Sequence, residues 1–300
     1  MSAATPSPLE VFIPFWGDPA LLYATVESVK AQTDPHWTIT VVDDCYPDPT
    51  VAEHFAAEDD PRIRYVRNET NLGITDNYQR CRELASGELM MFMGCDDLMH
   101  PTFVETVTAA HREFPAAATI QVGVQVIDEH GTPIDPLTDK VKRAIRPSVS
   151  RRTELSGEAL ASSLLRGAWH YWPALVFRTD VVTRYPFREG LPIIQDLALL
   201  IDMTAAGESL VLDPTVCFSY RRHTQSASAT SLLHGNRFSD ERRYYAAAAD
   251  QMARQGWTRA ARTARLRWTS RLHAVTLLPT AVRRRERSAV RSLLDHATER

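Results

Sequence analysis

Few cysteines and no long apolar run mark this sequence. Its four cysteines, Cys45, Cys81, Cys95 and Cys217, share no C-x-x-C spacing and no histidine-rich neighbourhood. Neither a zinc site nor a disulfide framework is indicated, and reduced thiols are expected. No window approaches the ~20 apolar residues of a membrane span. The opening MSAATPSPLE has no basic head followed by an apolar segment. A soluble, cytoplasmic protein is therefore expected, with contact at the inner face of a membrane left open. Internal repeats and low-complexity tracts are missing too. The first apolar run, LEVFIPFW, leads into Gly17-Asp18-Pro19 and not into G-x-G-x-x-G or G-x-x-x-x-G-K-[ST]. That argues against a dinucleotide oxidoreductase and a P-loop NTPase.

What is present is ordinary globular composition, with 44% hydrophobic and 24% charged residues in 300, enough to bury one large core or two smaller ones. LEVFIPFW reads as a strand ended by a turn at Pro14, Gly17, Asp18 and Pro19. Leu21, Leu22, Tyr23, Val26 and Val29 then recur at helical spacing, so residues 19–32 read as an amphipathic helix. WTITVVDD and RIRYVRN follow as strands. TDNYQRCRELAS reads as a helix capped by Thr75 or Asp76, and ELMMFMG as a fourth strand. A helix is expected at about 101–114, then a strand with a tight turn at His130-Gly131, and a polar, loop-like stretch over 135–155. HYWPALVFRTDVV reads as strand then helix, IIQDLALLIDMTAAG as a helix ended by Gly207, and LVLDPTVCFSYRRH as a late strand. From about residue 238 the pattern is helical and rich in arginine, with Pro279 expected to separate two helices.

Strands that are apolar on both faces and alternate with helices predict an α/β fold with a mostly parallel sheet. In such sheets ligands bind outside the carboxyl ends of the strands. Two strands end there in paired carboxylates, Asp43-Asp44 and Asp96-Asp97. The second pair closes GELMMFMGCDD, a core-type run with no polar transition. A buried unpaired carboxylate is costly, so the chain must leave the core at that point or offer the charges a partner such as a metal. With no phosphate loop, a cation held by strand-end carboxylates is the remaining way to hold phosphates.

The order of motifs resembles family 2 glycosyltransferases of the GT-A fold, over roughly residues 9–225. The resemblance is carried by the proline-containing turn after the first strand, SVKAQT, VVDDC, NETNLG, and ASGE feeding a strand that ends where the family has its metal-binding D-x-D. It implies an inverting, metal-dependent transfer of a sugar from a nucleoside-diphosphate donor, UDP- or dTDP-linked, to a hydroxyl acceptor. By the same resemblance Asp44 contacts the nucleotide base, Pro14, Phe15 and Trp16 lie around the nucleoside, and Gly73, Asn77 and Cys95 join the nucleotide site. Asp96 falls on the last aspartate of D-x-D and is the expected ligand of Mg²⁺ or Mn²⁺. Gly94 and Cys95 occupy the other two positions, which implies a weaker metal site that leans on bound nucleotide. Asp97 is a candidate for supporting hydrogen bonds. PIIQDLALL resembles the family's E-D motif with Gln195 for glutamate, and makes Asp196 the catalytic base. SYRRH resembles its Y-R-x-H segment, with His223 as a second metal ligand and Arg221 or Arg222 at the departing diphosphate.

The set Trp169, His170, Tyr171, Trp172 reads either as a sugar-stacking wall at the acceptor or as core. The expected division is a catalytic domain over 1–236, with a nucleotide-sugar half of about 9–130 and an acceptor half of about 131–236, and an Arg-rich helical extension over 237–300. The acceptor is left as carbohydrate, lipid-linked or small molecule, in cell-envelope polysaccharide, glycolipid or secondary-metabolite assembly. The arginines fit an anionic membrane surface, or a solvated helical face. No aromatic-basic interleaving accompanies them, so nucleic acid is not expected. Pairing with a second copy stays open. Two other classes compete: a nucleotidyltransferase, disfavoured by the missing glycine-rich loop, and a donor-binding protein without turnover, which Gly94 and Gln195 motivate.

Overall fold

The computed structural model describes residues 7–222, 236–283 and 287–298. Strand β1 (Leu9–Phe15) opens the fold. Helix α1 (Pro19–Lys30) follows, then β2 (Trp37–Asp43), α2 (Thr50–Ala56), β3 (Ile63–Arg67), α3 (Ile74–Leu84) and β4 (Leu89–Phe92). Next come β5 (Leu98–Met99), α4 (Phe103–Glu113), β6 (Thr119–Ile127), α5 (Leu137–Ile145), β7 (Thr153–Leu155) and α6 (Gly157–Gly167). A 3₁₀ turn at Trp172–Ala174 leads into β8 (Leu175–Arg178), α7 (Thr179–Val182), α8 (Gln195–Ala205) and β9 (Leu210–Arg221). Four helices close the described chain: α9 (Asn236–Arg254), α10 (Thr258–Leu266), α11 (Trp268–Arg283) and α12 (Arg287–Thr298).

Among the described residues nine strands join one sheet, in the order β3-β2-β1-β4-β8-β6-β9-β5, with β7 also paired to β9. The first four strands in that order are parallel, β8 enters antiparallel, and β6 and β9 resume the direction of β1. The carboxyl ends of β1, β2, β3, β4, β6 and β9 therefore share one edge. Alternate residues of β1 feed two cores, as strand geometry requires. Leu9, Val11 and Ile13 pack with residues of α1 and α4, while Phe12 packs with residues of α6 and α8. Tyr244, Ala248 and Met252 of α9 and Ala260 and Ala264 of α10 belong to that second core, so these helices are packed on the α/β unit.

Pro14, expected from sequence in the turn that ends the first strand, lies inside β1, which runs one residue further to Phe15. Phe12 and Pro14 face β4, and the β1–β4 ladder stops at Phe12↔Phe92, where Met93 N–H donates to Phe12 O at 2.8 Å. Pro14 has no N–H to offer, so the β1–β4 ladder is not carried beyond Phe12. β1 stays paired to β2 through Phe15↔Asp43. The carboxylates emerge just past the end of the β1–β4 ladder.

Other departures from the sequence reading have similar local reasons. The stretch 135–155 is not a plain loop but holds α5 and β7. Leu137 and Val141 on α5 are exposed and Ile145 packs on the second core, while the buried Asp139 carboxylate binds Arg222 and Lys142 Nζ donates to His170 O at 3.0 Å. The N-cap of α3 is Gly73 with φ +83°, and neither Thr75 nor Asp76 caps it. Pro279 lies within α11 and does not divide two helices; one missing N–H does not end a helix that is packed on a neighbour. The expected turn at His130-Gly131 is present, with Asp128 Oδ1 accepting from His130 N and Thr132 N at 2.9 and 2.8 Å.

Candidate active site

The common carboxyl edge gathers residues that are far apart in sequence. At the end of β2, Asp43 is fully buried, accepting from Tyr46 N at 2.7 Å, Arg67 Nη1 at 3.0 Å and the Tyr65 hydroxyl. Asp44, also buried, accepts from Asn68 Nδ2 at 3.0 Å and Leu72 N at 2.8 Å through Oδ1, and from Gly73 N at 2.9 Å through Oδ2. Asn68 also donates to Asn77 Oδ1 at 2.9 Å. Asp44 thus ties the end of β2, the 68–73 turn and the residue before α3 together. The exposed Trp16 meets Tyr46 edge-on at 5.5 Å beside this knot.

The end of β4 is built differently. Thr25 donates to Asp97 O at 2.8 Å, and Arg221 N–H donates to Asp97 Oδ1 at 2.8 Å. Asp97 Oδ2 is buried without a hydrogen-bond partner. Burial, and then the adjacent Asp96 charge, push the Asp97 carboxyl well above the usual carboxylate range, against the Arg221 N–H and its guanidinium. Asp96 is half-buried at the same turn. A Cβ on Gly94 would lie 2.4 Å from Asp97 Oδ2 and 3.1 Å from Asp96 Oδ1, so the glycine makes room for the two carboxylates. Burial pushes the Cys95 thiol up to about 12, which leaves it a neutral packing group; a Cβ on Gly17 would lie 3.4 Å from its Sγ.

Both arginines of the β9 end are engaged within the protein. Arg221 Nε donates to Asp96 O at 2.7 Å and Nη1 to Asp128 O and Glu129 O at 3.0 Å. It stitches β9 to the β4 turn and to the loop after β6. Arg222 forms a two-pronged ion pair with Asp139, at 2.6 and 3.0 Å, and Tyr171 donates to the same carboxylate at 2.8 Å. His223 lies outside the described residues. Among the described residues no cluster of three or more histidine, cysteine or acidic side chains is placed to hold a metal.

Asp196 stands in the first turn of α8. Its Oδ1 accepts from Leu197 N at 2.7 Å and its Oδ2 meets His170 Nε2 at 3.0 Å. Burial raises its carboxyl, but the charge and hydrogen bond of His170, the Leu197 N–H and Lys142 outweigh that and hold it below the usual range. The side chain keeps 30% of its surface exposed, while the His170 ring keeps 1%. Gln195, standing for the glutamate of the motif, accepts from Thr75 Oγ1 at 2.9 Å. This contact links the base candidate to the start of α3 and so to the Asp44 knot. Of the aromatic set, Trp169 and Trp172 are core: Trp172 stacks on Phe92 at 5.2 Å.

Sequence reasoning missed Asn68, Tyr65 and Arg67 as partners of the β2 carboxylates, although NETNLG contains the first. It also missed His170 as the partner of Asp196 and Asp139 as that of Arg222. These pairs are 26 and 83 residues apart in sequence, and no local pattern announces them.

The sheet, a mostly parallel one flanked by helices, has the architecture of solved GT-A glycosyltransferases. Residues 10–158, just under half of the chain, match the model of glycosyl transferase family 2. EpsE of Bacillus subtilis, named as a glycosyltransferase, is 30% identical over 115 residues, covering 37% of this chain and 40% of EpsE. TuaG of the same organism, named as a teichuronic acid biosynthesis glycosyltransferase, is 31% identical over 113 residues, covering 37% and 44%. The chain spans less than half the length of these relatives. Staphylococcus aureus TarS 1–349, solved in complex with UDP-GlcNAc, superposes with a TM-score of 0.62 at 15% identity, over 82% of this chain and 66% of that one. Without ligand it gives 0.65 at 13% identity, over 97% and 81%. Identities this low bear on the fold alone.

Proposed function

We propose that this protein transfers a sugar from a nucleoside-diphosphate sugar to a hydroxyl acceptor, with inversion at the anomeric carbon, in the assembly of a cell-envelope polysaccharide or glycolipid. The observation that carries the reading is Asp196: a carboxylate held ionised, partly open, on a helix that Thr75 and Gln195 tie to the nucleotide edge. The names of EpsE, TuaG and the UDP-GlcNAc complex of TarS support the substrate class.

In this reading Trp16 and Tyr46 offer an aromatic surface to the base, and Asp44 with Gly73 and Asn77 sets the floor beneath it. Asp196 takes the proton of the acceptor hydroxyl as that oxygen bonds to the anomeric carbon. The bond from that carbon to the diphosphate oxygen breaks on the opposite face, and the electron pair leaves with the nucleoside diphosphate. Asp96 and Asp97 suit Mg²⁺ or Mn²⁺, because a buried carboxylate oxygen without a partner beside a second carboxylate gains from a nearby cation. Asp96 would hold it, with His223 as the proposed second ligand. The cation would neutralise charge on the diphosphate.

Calorimetric titration with UDP, GDP and dTDP, with and without Mn²⁺, tests the donor half. One nucleotide is expected to bind in a Mn²⁺-dependent way, and Asp96→Ala to weaken that binding by at least about tenfold. Failure of every nucleotide to bind would remove the reading. A second test addresses the base. His170 contributes charge and a hydrogen bond that lower the Asp196 carboxyl, so His170→Gln lets it rise. Because only the ionised form accepts a proton, the acid limb of the kcat/KM profile is expected to move to higher pH in the variant. An unmoved limb would mean that a different group titrates there.

A further inference from the structure

Helix α11 has two unlike faces. Ala274 and Ala281 are buried and pack with Leu293 of α12. On the outer side Trp268, Leu272, Val275 and Val282 are 60%, 62%, 47% and 59% exposed. Their spacing of four, three and seven residues puts them on one stripe, a contiguous apolar strip of a kind that isolated surface residues do not make. Around it the sequence is strongly cationic. Residues 258–300 hold eleven arginines against three carboxylates, a net +8, which leaves −11 on the remainder of the chain.

We infer that this face seats the protein on an anionic lipid surface. A second copy of the chain is the other occupant such spacing suits, but pairing two copies would bring two segments of +8 together. An anionic bilayer instead accepts the apolar stripe at its headgroup boundary and attracts the arginines. No helix among the described residues is long and apolar enough to cross a membrane, so α11 would lie along the surface.

The placement of α11 gives the contact a purpose. A Cβ on Gly167, the last residue of α6, would lie 2.5 Å from Ile145 Cδ1 of α5 and 2.8 Å from Thr269 Oγ1 of α11. Three helix ends therefore meet there. Three residues further on, His170 holds Asp196. A surface touching Trp268 and Leu272 is thus close to the side on which the acceptor must reach Asp196. That consequence rests on the proposed transfer and implies a lipid-linked acceptor; the docking does not depend on it.

The test is co-sedimentation of the full chain with vesicles of phosphatidylcholine alone or mixed with phosphatidylglycerol, over a range of salt. Binding to the mixed vesicles is expected to be at least about tenfold stronger and to fall as salt rises. The double variant Trp268→Ser, Leu272→Ser changes only exposed side chains and is expected to lose most of that binding while keeping the wild-type calorimetric response to nucleotide. Equal binding to both vesicles, no binding, or undiminished binding of the variant would overturn the docking. So would a concentration-dependent dimer in velocity sedimentation that the variant abolishes, which would make a second copy the occupant. Loss of nucleotide binding by the wild type would instead strike the transfer reading and leave the docking untouched.

Discussion

Asp196→Asn is expected to lower kcat by about 10²–10⁴-fold, the usual contribution of a general base. Asparagine is nearly isosteric, so its amide oxygen can still accept from Leu197 N and the side chain can still meet His170. What it cannot do is take a proton. Asp196 is on α8 with His170 and Leu197 as its partners and is not among the residues proposed to hold nucleotide, so the variant should bind nucleotide with wild-type affinity. Its melting temperature should also stay within about 4 °C of wild type, the shift that ~1 kcal/mol produces in a chain of this size class. The measurement pairs a turnover assay, which reads released nucleoside diphosphate, with calorimetry. Retained turnover would move the base elsewhere. Loss of nucleotide binding together with turnover would show that Asp196 supports the fold of the site and not its chemistry. A wild type that binds nucleotide and turns nothing over would favour the donor-binding alternative.

The parts of this protein that a reader of the sequence could place are those whose cause is local. Alternation of apolar strands with helices places β1 to β4, and the strand-end position of Asp43-Asp44 and Asp96-Asp97 follows from the abrupt end of each apolar run. Gly207, with φ +99°, ends α8 where sequence expects. What escaped is whatever a distant partner decides. Helix α5 carries helical spacing at Leu137, Val141, Ala144 and Ile145 that is lost among the charges of 135–155, and its anchor, Asp139 on Arg222 83 residues away, leaves no local trace. Thr75 and Asp76 look like caps, but the N-cap residue is Gly73, whose own N–H is held by Asp44 just past β2. Arg221 reads as a free cation in SYRRH and turns out to be tied to three main-chain oxygens. Local propensity is a weak prior where a buried charge must find a partner, since leaving one unpaired costs several kcal/mol. Those pairings fix the site.

Gly94→Asp, which would restore the first carboxylate of the D-x-D pattern, is expected to weaken the protein and not to strengthen its metal site. A Cβ at this position meets Asp97 Oδ2 at 2.4 Å and Asp97 Cγ at 3.2 Å, and the Asp97 side chain is not at liberty to turn aside. Its Oδ1 is held by Arg221 N–H and the residue is 1% exposed. Moving it breaks that bond and loosens the end of β9. Overpacking of this kind costs about 1–3 kcal/mol. The third carboxylate would add repulsion where the Asp97 carboxyl is already raised by burial and by Asp96. Thermal unfolding should therefore show a lower midpoint for Gly94→Asp. Gly94→Ala should lose a similar amount from the Cβ alone, and the difference between the two variants isolates the charge. Lowering the pH should narrow that difference, because protonation removes the repulsion while the steric overlap stays. Titration with UDP and Mn²⁺ completes the test. Affinity equal to or below wild type is the expected result. Tighter Mn²⁺-dependent binding at unchanged stability would mean that the Asp97 carboxylate swings out of the core when a cation arrives, and that Gly94 is a missing ligand and not the space two neighbouring carboxylates require.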